Sequence, residues 1–366
     1  MLFARNKVKA FGALAALLVF LAVAPGASAQ QTTPATGPEE AVGGAVPGSS
    51  LGVSSDTDFW REIRRGASGV AQQPHELGGV LIQSEGDNWR AVRNGPLKTY
   101  GVWLMIGIIG LLALFFALRG RIKIDHGMAG TTIERFTALE RFGHWLTAGS
   151  FIALAITGLN LMYGRYVLMP VIGKEAFATI TTAGKWVHNW IAFAFMAGLV
   201  LIFVMWVAHN IPNKTDLKWL AKGGGLFSKN VHPDAKKFNA GQKIIFWATI
   251  LGGASLSFSG WALLDPFTTT MFADTFALLN TLGLNLPTDL TLMEEQQLAV
   301  VWHGIVSLVM IAIILAHIYI GSIGMEGAFA AMGSGQVDLN WAREHHNLWV
   351  EEEMSKAGAG RAQPAE

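Results

Sequence analysis

Five apolar stretches of about 20 residues constrain this chain more than any other feature. They lie at roughly 100–118, 142–162, 187–208, 243–264 and 298–322. At about 1.5 Å per residue, each is long enough to cross the roughly 30 Å hydrocarbon core of a bilayer. A spanning segment of this length satisfies its backbone only as a helix. The expected fold is therefore all-α, an integral membrane helix bundle. Composition agrees, with 51% hydrophobic and only 14% charged residues. There is no cysteine, which excludes a disulfide framework, thiolate-held iron–sulfur clusters and c-type haem attachment. A net charge of +1 gives no global basic field for nucleic acid.

The first residues read as a secretory signal. Arg5, Lys7 and Lys9 precede an apolar run from Phe11 to Val23, and Ala27-Ser28-Ala29 offers a small-x-small cleavage site. The expected division is a signal peptide at 1–29, a partly flexible extracytoplasmic (periplasmic) segment at 30–98, an extra transmembrane helix at 99–119, a four-helix domain at 130–352 and a frayed tail at 353–366. Loop charge orients the spans. Arg119, Arg121, Lys123 and Arg135 follow the first span, and Lys214, Lys218, Lys222, Lys229, Lys236 and Lys237 follow the third. The 265–297 loop has no Lys or Arg, but carries Asp265, Asp274, Asp289, Glu294 and Glu295. The Lys/Arg asymmetry places 119–141, 209–242 and the C-terminal tail in the cytoplasm. An exported N-terminal segment followed by five spans gives the same orientation.

Ionisable groups within spans are costly and mark function by default. His144, His188, His303 and His317 lie within or at the ends of spans, while Asp and Glu are nearly absent there. That pattern argues against a proton or ion pathway and suggests neutral imidazole ligands. His303 and His317 share one helix. Fourteen residues at about 100° each bring them within some 40° of one face, roughly 21 Å apart along the axis. The depths pair His188 with His303 on the outer side and His144 with His317 on the inner side. Each pair could clamp one b-type haem between two helices. A lone membrane histidine is more often a helix-packing group; four matched in depth strengthen the ligand reading. His209, about 31 Å along the helix from His188 and near the same face, is a competing inner ligand. His144 is preferred because His209 sits beside Asn210 and Pro212, where the helix ends. His75, His126, His232, His345 and His346 fall in loops or tails, where a solvated role is the default. Gly143, Gly149, Gly158, Gly252, Gly253, Gly260 and Gly304 would let backbones or a flat macrocycle approach closely.

Several stretches carry a family resemblance: Glu140-Arg-Phe-Gly-His-Trp145, Lys185-Trp-Val-His-Asn-Trp190, His209-Asn-Ile-Pro-Asn-Lys214, Phe238-Asn-Ala-Gly-Gln-Lys243, Trp302-His-Gly304, His317-Ile-Tyr319 and Trp341-Ala-Arg-Glu-His-His346. Over roughly 130–352 the chain resembles the cytochrome b (gamma) subunits of membrane-bound formate dehydrogenases. It shares its four-span core more loosely with cytochrome b subunits of nickel–iron hydrogenases. The resemblance implies a four-helix haem-binding core with two haem b groups, held by His144, His188, His303 and His317. It also implies a quinone (menaquinone or ubiquinone) near the cytoplasmic haem, contacted by Asn239, Gly241 and Gln242, with His317 alongside. On the residues alone, 238–243 reads as the start of the fourth span, with its amides at the helix N-terminus.

The implied function is electron transfer. Formate oxidation would occur on a molybdenum or tungsten catalytic (alpha) subunit. Electrons would arrive through an iron–sulfur (beta) subunit and cross the bacterial inner membrane to quinone. Two other readings stay open at this point: the cytochrome b subunit of another oxidoreductase, such as a hydrogenase or thiosulfate reductase, and a haem-free membrane anchor.

Overall fold

The computed structural model describes residues 85–361 apart from Lys229 and Phe267. The expected signal peptide and residues 30–84 of the 30–98 segment lie outside the described residues. Five helices are long and apolar enough to cross a membrane: Asn88–Arg119, Ala138–Val167, Lys174–Asn210, Ala240–Leu264 and Leu292–Gly324. The expected all-α membrane bundle is thus what the chain forms. Its regular parts are α1 (Lys98–Arg119), α2 (Ala138–Val167), α3 (Lys174–Trp206), α4 (Ala240–Leu264) and α5 (Leu292–Tyr319), followed by α6 (Leu339–Arg361). The chain divides into two compact units, a larger one of 87–266 with 296–366 and a smaller one that includes 267–295. In the smaller unit, Glu295 accepts hydrogen bonds from the backbone N–H groups of Phe272 (2.8 Å) and Ala273 (2.6 Å) at the start of a short helix, Met271–Asn280.

Local chemistry sets the helix boundaries. α1 follows a π-helical turn, Arg93–Leu97, that contains Pro96, and stops at Gly120, whose φ of 67° favours glycine. α2 begins with a capping box. The Thr137 hydroxyl accepts from the Glu140 N–H, and the Glu140 carboxylate accepts from the Thr137 N–H at 2.9 Å. The link from α2 to α3 is short, with Pro170 in a single helical turn and Gly173 at φ 83°. α3 therefore starts at Lys174 and holds His188 in its interior rather than at its start. It ends in a 3₁₀ turn, Val207–Asn210, just before Pro212.

Small residues bring the spans together. A methyl group placed on Gly198 of α3 would lie 3.0 Å from the backbone nitrogen of Thr147 on α2, so these backbones cross in direct contact. One on Gly253 of α4 would lie 3.0 Å from the Leu199 side chain of α3. Gly252 of α4 takes the Met310 thioether of α5. Without water to drive association, such close backbone packing holds membrane helices together. Their outer faces stay apolar and exposed, as at Trp103, Ile109 and Leu118 on α1 and Val200 and Val204 on α3.

The most deeply buried cluster lies at one end of the bundle. Strands β1 (Thr132–Glu134) and β2 (Gln336–Asp338) pair antiparallel, with Ile133 opposite Val337. Beneath them Phe136, Trp206, Phe238, Val337, Trp341, Trp349 and Val350 form a continuous buried cluster that runs on into Ile202, Leu199 and Phe195 of α3. A lysine of the positive loop and one in the first turn of α4 are tied down here. Lys237 pairs with Glu140 at 2.7 Å, and Lys243 pairs with Asp216 at 2.9 Å. α6 continues past Glu351 to Arg361, with a kink at His346.

Candidate functional site

The bundle brings the four span histidines together in two pairs. His188 of α3 and His303 of α5 have ring centroids 6.3 Å apart, with planes at 65°. His144 of α2 and His317 of α5 are 6.2 Å apart, with planes at 56°. Because His303 and His317 share α5, the pairs lie at two depths, roughly 21 Å apart by helical rise. His209 joins neither pair. It sits on the 3₁₀ turn, its ring 6.5 Å from that of Phe238.

His188, His303 and His144 have defined surroundings. His188 Nδ1 lies 2.8 Å from the Thr157 hydroxyl of α2, and His303 Nδ1 lies 2.9 Å from the Ser259 hydroxyl of α4. Those hydroxyls already donate one turn back, Thr157 to the Ala153 carbonyl (2.7 Å) and Ser259 to the Ser255 carbonyl (2.8 Å). A hydroxyl has one proton, so in each case the imidazole Nδ1–H is the donor. The residue after each hydroxyl is glycine. A methyl group there would lie 3.4 Å from the imidazole Cε1, at Gly158 for His188 and at Gly260 for His303. His144 is held differently. Its ring packs edge-on against Trp145 at 5.2 Å, Trp145 Nε1 donates to the Met332 carbonyl at 2.8 Å, and His144 Nδ1 is buried without a hydrogen-bond partner among the described residues.

This donor set fits two bis-imidazole haem sites. Two imidazoles that bind one metal from opposite sides have ring centroids about 6 Å apart, given metal–nitrogen bonds of about 2 Å, as at zinc. Both pairs have that separation. For His188 and His303, a proton on Nδ1 leaves the Nε2 lone pair available. Among the described residues no group of three or more His, Cys, Asp or Glu is placed to hold a bare metal ion; a macrocycle supplies the remaining positions itself.

The Asn-Ala-Gly-Gln stretch opens α4. Asn239 Oδ1 accepts from the Gln242 N–H at 2.9 Å, and Gln242 Oε1 accepts from the Asn239 N–H at 3.1 Å. This capping box engages one lone pair of each amide oxygen, and the NH₂ groups are the donors these side chains can offer a ligand. Gly241 lies under the Trp219 indole, whose Cη2 would be 3.0 Å from an added methyl.

Two histidines expected in solvent are drawn into the cluster, His346 buried and His345 half-buried. His346 is 1% exposed. Its Nδ1 donates to the Lys236 carbonyl (2.8 Å), and its Nε2 accepts from the Arg135 guanidinium (3.0 Å). Arg135, itself 2% exposed, donates also to the Lys237 carbonyl (2.5 Å) and lies 5.1–5.5 Å from the rings of Phe136, Trp341 and Trp349. Burial lowers the Arg135 pKa to about 9 against the opposing charge of Glu140. Burial also pushes His346 well below the ordinary imidazole value, and His345 down to about 4. The solvated expectation fails because Trp341 and Trp349 turn one face of α6 into the cluster. By contrast, the exposed His126 ring lies 2.8 Å from the buried Glu344 carboxylate, and the half-buried His232 ring lies 2.9 Å from that of Asp125. His75 lies outside the described residues.

Sequence reasoning marks Gly158 and Gly260 as packing residues and passes over the hydroxyls before them. The signal that could find them is the recurrence of Thr-Gly and Ser-Gly inside two spans.

Comparison with known proteins places these residues in context. A family model for prokaryotic cytochrome b561 matches residues 135–335. The formate dehydrogenase cytochrome b556(fdo) subunit of Escherichia coli is 28% identical over 222 residues, 60% of this chain and 93% of that protein. The nitrate-inducible formate dehydrogenase cytochrome b556(Fdn) subunit of the same organism is 27% identical over 229 residues, 62% of this chain and 94% of that protein. A formate dehydrogenase cytochrome b556 subunit of Haemophilus influenzae is 23% identical over 227 residues, 61% of this chain and 84% of that protein.

Proposed function

The chain belongs to the prokaryotic cytochrome b561 family, and on that premise we propose that it is the di-haem b membrane subunit of a formate dehydrogenase complex. It passes electrons from a periplasmic iron–sulfur subunit across the membrane to a quinone near the cytoplasmic side. One observation carries this reading: two imidazole pairs, at 6.3 and 6.2 Å, stand at two depths of a membrane bundle. The family membership implies haem b, and the relatives' names supply formate as the electron source.

In this reading His188 and His303 hold the outer haem, and His144 and His317 hold the inner one. The bound haems supply one-electron carriers. The chain's own residues supply ligands, spacing and a dry environment. The positive loops after α1 and α3 support a cytoplasmic position for the inner pair. Asn239 and Gln242 offer NH₂ donors to quinone carbonyls there, and the protons that complete the quinol come from the cytoplasm. Formate oxidation belongs to a molybdenum or tungsten catalytic partner, reached through the iron–sulfur subunit.

The testing experiment is a pyridine haemochrome assay with a dithionite-reduced spectrum on the purified chain, followed by formate addition to native membranes. About two haems b per chain and their reduction by formate are expected. A folded preparation from haem-replete cells with no haem would overturn the reading. Haems that respond to hydrogen but not to formate would reassign the partner.

A further inference from the structure

The surroundings of the two imidazole pairs differ in one respect that bears on electron affinity. Both members of the outer pair give their Nδ1 proton to a hydroxyl, Thr157 at 2.8 Å and Ser259 at 2.9 Å. His144 of the inner pair has a buried Nδ1 with no partner among the described residues. The outer arrangement arises twice, independently. In the α2–α3 hairpin, Thr157-Gly158 on the first helix meets His188 on the second. In the α4–α5 hairpin, Ser259-Gly260 on the first helix meets His303 on the second. Each hydroxyl is anchored by donation to a backbone carbonyl one turn back, and each glycine leaves room for the imidazole edge beside the backbone, with Cε1 3.4 Å from where a Cβ would lie. Two unrelated segments thus reach the same three-part device of carbonyl, hydroxyl and imidazole.

We propose that Thr157 and Ser259 are positioning residues that hold His188 and His303 with Nδ1 protonated and Nε2 free for iron, and that this makes the outer pair stronger electron donors than the inner pair. The inference rests on the haem-ligand reading above. An imidazole that donates a hydrogen bond from Nδ1 has its orientation fixed and its other nitrogen made more basic. A more basic axial ligand favours the oxidised iron and lowers the reduction potential. His144, lacking that acceptor, does so less. The consequence is a lower potential at the outer site than at the inner one, a slope that favours electron movement inward.

The test is a potentiometric titration of the dithionite-reducible haems in the purified full-length chain. Wild type is compared with Thr157→Val, Ser259→Ala and the double variant, and with Thr157→Ser and Ser259→Thr, which retain a hydroxyl. Two components are expected in wild type. In the double variant the lower one should move to a more positive potential, by up to about tenfold in the one-electron equilibrium, or about 59 mV. The upper component should stay in place, and the hydroxyl-retaining variants should return the wild-type curve. Loss of one haem in Thr157→Val with retention in Thr157→Ser would also support the proposal, since only the hydroxyl differs in kind. Both haems present in the double variant with neither component moved would overturn this inference alone. Equal haem loss in Thr157→Val and Thr157→Ser would overturn it too, by assigning the effect to packing. A wild-type chain without haem would overturn the parent reading with it.

Discussion

His188 and His303, on different helices, stand with ring centroids 6.3 Å apart, and each gives its Nδ1 proton to a hydroxyl on the helix that precedes its own. The hydrogen bond behind each ring and the gap between the rings are two parts of one arrangement. A helix-packing histidine needs only the first. The separation across the gap, repeated at His144 and His317, is what supports the proposed haem between the members of each pair.

Removing one outer imidazole should remove one haem. His303→Ala is expected to reduce the pyridine haemochrome count from about two per chain to about one, with the bundle still folded. Retention of both haems in that variant would sink the outer assignment.

The inner ligand can be tested by contrast. His144 stands 6.2 Å from His317, whereas His209 packs near Phe238. His144→Ala should lose the inner haem, and His209→Ala should keep both. The opposite result in haem counts on the two purified variants would make His209 the ligand.

The quinone proposal at Asn239 must be separated from its capping role. Aspartate caps a helix about as well as asparagine but has no NH₂ group. Asn239→Asp should therefore leave the thermal midpoint nearly unchanged and lower quinone reduction by the formate-reduced complex severalfold. Asn239→Ala should lower both, costing about 1 kcal/mol of stability. Unchanged quinone kinetics in the aspartate variant would leave Asn239 with capping alone.

His345 and His346 of α6 predict acid sensitivity at this end of the bundle. Burial holds folded His345 down at about 4 and His346 well below the ordinary imidazole value, against about 6.5 when unfolded. Above pH 6.5 both states are neutral, and these groups impose no penalty. Between about 6.5 and 4 the unfolded chain takes up protons that the folded chain refuses, so stability falls as pH falls. For His345 alone the full loss is on the order of 3 kcal/mol. Thermal midpoints in detergent should drop through that window, and His345→Gln should flatten the slope. An equal slope in that variant would show that other groups carry the dependence.

Much of the architecture is legible along the chain. The five spans are local properties, since length and apolarity set them residue by residue. The shared face of His303 and His317 is local too, because one helix has one period. The helix starts at Thr137 and Asn239 also obey short-range capping rules, although only the structure shows that the Asn239 and Gln242 oxygens are already engaged. Arg135 and His346 are not legible in this way. Each is polar and lies outside the spans, and nothing in its neighbourhood along the chain announces that Phe136, Trp341 and Trp349 will close over it.

The sequence by itself determined that this is a multi-span helical membrane protein with four histidines at two depths, because hydrophobic length and helical periodicity act within a single segment. Only the tertiary structure decided which histidines meet, which hydroxyls stand behind them, and that His209 stays apart. Those relations depend on the rotation and depth of one helix against another. Close approaches such as Gly198 on Thr147 and Gly252 on Met310 set both, and they join residues far apart in the chain with no local signature of their pairing.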